Sequence, residues 1–205
     1  MSHHHLVTPR AVASVIGALV LAAAGLAGGA APASAAYIVP GDCGPYSGAP
    51  VPAGYATKFV PPGGLYVSNN TSGPEFIIGT TGSDVIVGSV DDDVICGFEG
   101  SDNIQANSGD DIVYGGLHGD DIWGDLGNDN LHGDGGTDTI HGDRFIGPSA
   151  LDGNDRLDGG SNTDELYGDE LYGDDTLVGG PGPDDYGEGN AGSDICRVST
   201  EDCTV

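Results

Sequence analysis

Twelve aspartates recur at one phase of a nine-residue period: Asp84, Asp93, Asp102, Asp111, Asp120, Asp129, Asp138, Asp155, Asp164, Asp175, Asp184 and Asp194. Aspartate favours turns in general, but turn preference does not hold twelve of them in phase. A carboxylate returning every nine residues in a glycine-crowded segment offers oxygen donors at regular intervals: its own, and the carbonyls of an unhindered backbone. Oxygen-only donor sets suit hard divalent cations, whereas zinc and copper favour His and Cys. The charge calls for such a partner, with 32 acidic residues against 5 Lys+Arg and a net charge of -27. That balance argues against nucleic acid or an anionic membrane surface as partner. Composition alone would equally suit a disordered acidic chain; the order within the sequence separates the two readings.

The elements that must position these carboxylates follow from the period. From Gly79 seven units run unbroken: GTTGSDVIV, GSVDDDVIC, GFEGSDNIQ, ANSGDDIVY, GGLHGDDIW, GDLGNDNLH and GDGGTDTIH. After an interruption at 142–149 they resume as ALDGNDRLD, GGSNTDELY, ELYGDDTLV, GGPGPDDYG and GNAGSDICR, with Gly168-Asp169 and Glu188 as small insertions, giving twelve units over 79–197. Position eight carries Ile86, Ile95, Ile104, Val113, Ile122, Leu131, Ile140, Leu157, Leu166, Leu177, Tyr186 and Cys196. Position four is glycine except at Asp91, His118 and Asn162, residue types that tolerate positive φ. Position four is therefore expected to be left-handed in every unit. Each unit reads as a turn followed by a short strand with one inward side chain. Such units gain a core only by stacking into coils with two strands per coil.

The units match G-G-x-G-x-D-x-U-x, and the chain resembles the RTX, or hemolysin-type, calcium-binding nonapeptide-repeat family. The resemblance covers 79–197 and implies an all-β fold, a right-handed parallel β-roll with calcium-binding turns. It implies several calcium ions as cofactors, each held between turns by the twelve position-six aspartates and by backbone carbonyls. Asp84, Asp102, Asp120 and Asp138 are then expected on one edge and Asp93, Asp111 and Asp129 on the other. The sequence departs from the family at position two (Thr80, Ser89, Phe98, Asn107) and, at Ala106, at position one. Physical chemistry agrees on the ion, because calcium takes six to eight oxygens in flexible geometry while magnesium demands stricter octahedra. One inward side chain per unit buries too little to offset chain entropy, and stacked aspartates repel. The chain is expected to be largely disordered without calcium and to fold on binding it.

The remainder is of different material. Residues 1–35 read as a secretory signal, with a short basic start, an Ala-rich apolar run and Ala33-Ser34-Ala35 as the cleavage site. The mature charge would be 4 − 32 = -28. Residues 36–78 hold seven prolines and only Asp42 and Glu75 as acids, a linker or N-terminal cap, and 198–205 form a tail. Asn69 and Asn70 start overlapping glycosylation sequons. Four cysteines fit an oxidising compartment and allow three connectivities, of which Cys43–Cys96 and Cys196–Cys203 are favoured. His132 and His141 fall in consecutive units and are expected on opposite sheets, and Trp123 is expected to face outward. Tyr114, Tyr167 and Tyr172 are candidate contacts for a sugar or protein partner. No nucleophile elbow, H-E-x-x-H helix or P-loop is present, which argues against an enzyme. The function expected is that of a secreted calcium-binding module, structural or interactive. A surface adhesin or glycan-binding matrix protein is the alternative, and a secreted hydrolase or toxin-like factor stands third.

Overall fold

The computed structural model describes residues 38–41, 43–68, 73–143, 153–168, 173–190, 192–198 and 203–204. The expected leader, the sequons at Asn69 and Asn70, Tyr172 and most of the 142–149 interruption lie outside them. Two sheets of eight strands face each other. The first runs β1 (Ala56–Phe59), β3 (Glu75–Ile78), β5 (Val94–Glu99), β7 (Ile112–Leu117), β9 (Asn130–Gly135), β11 (Arg156–Asp158), β13 (Thr176–Val178) and β15 (Ile195–Arg197). The second runs β2 (Leu65–Val67), β4 (Val85–Val87), β6 (Asn103–Ser108), β8 (Asp121–Leu126), β10 (Thr139–His141), β12 (Glu165–Tyr167), β14 (Tyr186–Glu188) and β16 (Cys203–Thr204). Consecutive strands alternate sheets, neighbours within a sheet are two units apart, and their pairing is parallel. This is the parallel β-roll that the nine-residue period predicts. Among the described residues there is no α-helix, and no helix long and apolar enough to cross a membrane.

The core is one residue thick per strand. Ile77, Ile95, Val113, Leu131, Leu157 and Leu177 come from the first sheet and Ile86, Ile104, Ile122, Ile140 and Leu166 from the second, all fully buried. Register stacks like on like, as in Ile104↔Ile122 and Leu131↔Leu157, so these buried side chains meet their counterparts along each sheet and across.

The sheets begin ahead of Gly79. β1, β2 and β3 are already members of them, and the pairs Lys58↔Ile77 and Tyr66↔Ile86 put Lys58 and Tyr66 at inward positions. Residues from Ile38 to Tyr55 lie over the outer face of the first sheet. They form a flap with a 3-10 turn at Gly44–Tyr46 and a second apolar core of Val39, Cys43, Phe76, Ile78, Val94, Cys96, Phe98 and Tyr114. The Cys43–Cys96 disulfide, with Cα atoms 5.6 Å apart, ties flap to roll as expected. Cys196 is also disulfide-bonded; the side chain of its expected partner Cys203 lies outside the described residues.

The described residues that border the breaks keep the bonding of the repeat. A position-one N–H donates to the position-nine carbonyl of the next unit, as in Gly79 to Cys96 and Gly88 to Gln105. Gly142 and Gly168 make the same bond, to Tyr167 and Glu188. Gly142 and Gly168 are therefore position-one residues, and Gly168 is not part of an insertion between units. The last irregular unit holds its extra residue before its strand, not after. Leu166 pairs with Gly187, so the inward position belongs to Gly187, and Tyr186 faces outward. A Cβ on Gly187 would lie 3.0 Å from Val198 and 3.2 Å from Leu177, the side chains that fill its place in the core.

The left-handed position also moves. Position four has positive φ at Gly100, Gly109, His118, Gly127, Asn162 and Gly173, but not at Gly82, Asp91, Gly136, Gly153, Gly182 or Gly192. Position two carries it at Phe98 (φ 81), Asn107 (φ 85), Asp125 (φ 74), Asp134 (φ 69) and Asn190 (φ 65). In the first two units hydroxyls hold the turn instead. Thr80 Oγ1 accepts the Gly82 N–H and Ser89 Oγ accepts the Asp91 N–H, both at 3.1 Å. These Ser/Thr turns need no positive φ at position two.

Candidate metal centre

Each strand is entered through its aspartate, and the stacking of coils turns the period into two ladders. The backbone N–H of Asp84 donates to Asp102 Oδ1 at 2.8 Å, Asp102 to Asp120 at 2.8 Å, Asp120 to Asp138 at 2.8 Å and Asp138 to Asp164 at 2.9 Å. On the other edge Glu75 donates to Asp93 at 2.7 Å, Asp93 to Asp111 at 2.6 Å, Asp111 to Asp129 at 2.8 Å and Asp129 to Asp155 at 2.8 Å. Asp155 then donates to Asp175, and Asp175 to Asp194, both at 2.9 Å. The two edges are those expected, and the second continues unbroken past the interruption.

One predicted site residue is displaced. Asp164 donates to Asp185 Oδ1 at 3.2 Å, and Asp185 is fully buried while Asp184 is exposed with φ 63. Asp185, not Asp184, is the ladder residue, because the extra residue of that unit sits in its turn. Sequence reasoning also missed Glu75. It stands on the ladder at a position where the repeat has aspartate, fully buried, with Lys58 Nζ 3.2 Å from one carboxylate oxygen and the Tyr66 hydroxyl donating to the other at 2.9 Å.

The second carboxylate oxygen divides the ladder. In Asp84 and Asp93, Oδ2 accepts the N–H of Thr80 and of Ser89, each at 2.6 Å. In Asp102, Asp111, Asp120, Asp129, Asp138, Asp155, Asp164, Asp175 and Asp194 it is buried without a hydrogen-bond partner. Buried oxygens so placed are costly unless a cation or proton meets them. Main-chain oxygens crowd the same place: a Cβ on Gly115 would lie 2.5 Å from Asp120 Oδ2 and 3.0 Å from the Gly133 carbonyl. Among the described residues no three His, Cys, Asp or Glu side chains form a metal-binding group. Each site would thus draw its carboxylates singly from successive coils and its other donors from carbonyls, a set that fits calcium and not zinc.

Electrostatics point the same way. Burial lifts Asp111 and Asp155 from 3.8 to about 9, Asp120 to about 8, and Asp129 and Asp138 to about 7. Asp102, Asp164 and Asp175 rise to about 6 for the same reason. Charges of ladder neighbours add to the rise, and the N–H donated into each carboxylate opposes it.

His132 lies on β9 and His141 on β10, in opposite sheets as expected. His132 stacks on Tyr114 at 4.8 Å, and His141 lies between Trp123 at 5.6 Å and Tyr167 at 4.8 Å. Tyr114 is buried under the flap, edge-on to Tyr46, which removes it from the candidate sugar contacts. One face of the Tyr167 ring is taken by His141.

Neither a curated protein nor a solved structure matches this chain. One family's sequence model does, described as RTX calcium-binding nonapeptide repeat, in four copies at residues 69–97, 97–131, 118–146 and 149–170.

Proposed function

Since the repeat region of this chain belongs to the RTX calcium-binding nonapeptide repeat family, we propose that the protein is a secreted module that folds around calcium and serves a structural or interactive role rather than a catalytic one. The observation that carries this reading is the row of buried Oδ2 atoms of Asp102, Asp111, Asp120, Asp129, Asp138, Asp155, Asp164, Asp175 and Asp194 that no protein donor meets. Calcium would be held by Asp102, Asp120, Asp138, Asp164 and Asp185 on one edge and by Asp111, Asp129, Asp155, Asp175 and Asp194 on the other. It would supply the positive charge that 5 Lys+Arg cannot give to 32 acids. The leader-like residues 1–35 and the disulfide support export, since disulfides persist in oxidising compartments.

The test is a calorimetric titration with calcium, with circular dichroism followed in parallel. Extracellular calcium modules bind at ~0.1–1 mM. Cooperative heat and a gain of β signal are expected in that range; no heat at millimolar calcium would remove the proposal.

A further inference from the structure

The buried carboxylates are of two kinds, and the change from one to the other falls at a single place in the chain. Glu75, Asp84 and Asp93 are met by protein groups: Glu75 by Lys58 at 3.2 Å and Tyr66 at 2.9 Å, Asp84 by Thr80 and Asp93 by Ser89 through N–H bonds of 2.6 Å. The hydroxyls of Thr80 and Ser89 add bonds of 3.0 and 3.1 Å to Oδ1 of the same aspartates. From Asp102 onward this arrangement stops. Its unit has Phe98 at position two, whose φ of 81 marks a different turn, and Asp102 Oδ2 has no hydrogen-bond donor. Two independent features change in the same region. Residues 36–101 carry seven acids and one lysine, a net charge of 1 − 7 = -6, while residues 102–205 carry twenty-five acids and three arginines, 3 − 25 = -22. The Cys43–Cys96 disulfide ends on β5, and the second apolar core reaches no further along the chain than Tyr114 on β7.

We propose that the flap and strands β1 to β5 form a metal-independent cap that stays folded without calcium, and that the coils from Asp102 onward fold onto its edge only as calcium binds. Lys58 does for the first rung what a calcium ion does for later ones: it brings a cation to a buried carboxylate. A preformed edge matters because each coil of a solenoid gains stability mainly from its neighbours, so the first coil is the hardest to form. With β4 and β5 in place, β6 and β7 have strands to pair with, and growth runs toward the C-terminus. An inward-pointing charge on an edge strand also blocks pairing with another chain, so growth from the cap has one direction.

This inference rests on the calcium reading, and hydrogen exchange of the full chain separates the two. With chelator, amides of β3 and β5 are expected to exchange at least tenfold more slowly than those of β8 to β14; with millimolar calcium all are expected to be protected. If β3 and β5 exchange as fast as β8 to β14 in chelator, the cap is overturned while calcium binding stands. If calcium leaves β8 to β14 unchanged, the calcium reading itself fails. Lys58→Met leaves Glu75 buried without its cation and should abolish protection of β3 in chelator; adding Glu75→Gln should restore it. Full protection of β3 in the single variant, or none in the double, would refute the role given to Lys58.

Discussion

Asp184 and Asp185 are adjacent in sequence, yet one is exposed and the other fully buried on a ladder. Only a buried carboxylate in line with Asp164 can serve a shared site, so substitutions at the two positions should differ. Asp185→Asn keeps an oxygen for the Asp164 N–H but removes the charge, and ligand charge sets calcium affinity. The calcium midpoint of folding should rise several-fold. Asp184→Asn places another residue tolerant of positive φ at φ 63 and should leave the midpoint within error. Dichroism against calcium concentration reads both; equal effects would discredit the register. The misreading has a physical source. Inward positions usually hold aliphatic side chains, and Tyr186 was the nearest substitute, whereas the chain uses Gly187 and fills the space with Val198 and Leu177.

At the scale of the coil, the glycine at position one is held by what surrounds it. A Cβ at Gly88 meets the Ala106 carbonyl at 2.5 Å and Asp93 Oδ2 at 2.9 Å, and neither group is the free end of a flexible side chain. Gly88→Ala should cost ~1–3 kcal/mol, as overpacking does, in thermal unfolding with saturating calcium. At Gly82 the nearest atom is Thr80 Oγ1 at 3.9 Å, so Gly82→Ala should stay within ~0.5 kcal/mol. Equal losses would mean that the coil edge is not packed as described. The nine-residue period made the middle coils, the two edges and the inward column legible in the sequence. It could not mark the first coils, because Lys58 and Tyr66 stand where the pattern calls for an aliphatic residue and Glu75 where it calls for aspartate. Nor could it tell which turn residue is left-handed, because Asn and Asp at positions two and four satisfy the same steric rule. Phe98 shows that packing can override that rule: it adopts φ 81 while nearly buried in the second core.

For the molecule as a whole, the two buried columns make proton and calcium rivals. In the roll without metal, burial raises Asp111 and Asp155 to about 9, Asp120 to about 8 and Asp102 to about 6. An unfolded chain holds aspartate near its ordinary value of ~3.9. The folded state therefore binds more protons between these limits, and stability falls as pH rises across them. The contribution is fully present below about pH 4 and is lost as pH climbs through the folded values, from about 6 for Asp102 to about 9 for Asp111. Metal-free protein should thus gain β signal on acidification from pH 9 toward 4.5, opposite to the acid unfolding of a protein held by ionised carboxylates. In saturating calcium the dependence should reverse, because the ion binds the deprotonated ladder. Calcium added near neutral pH should release protons, read as a difference in titration heat between buffers of unequal ionisation enthalpy. A metal-free β signal that stays flat or rises with pH, or heats that are equal in the two buffers, would show that the ladders do not hold protons in place of the ion.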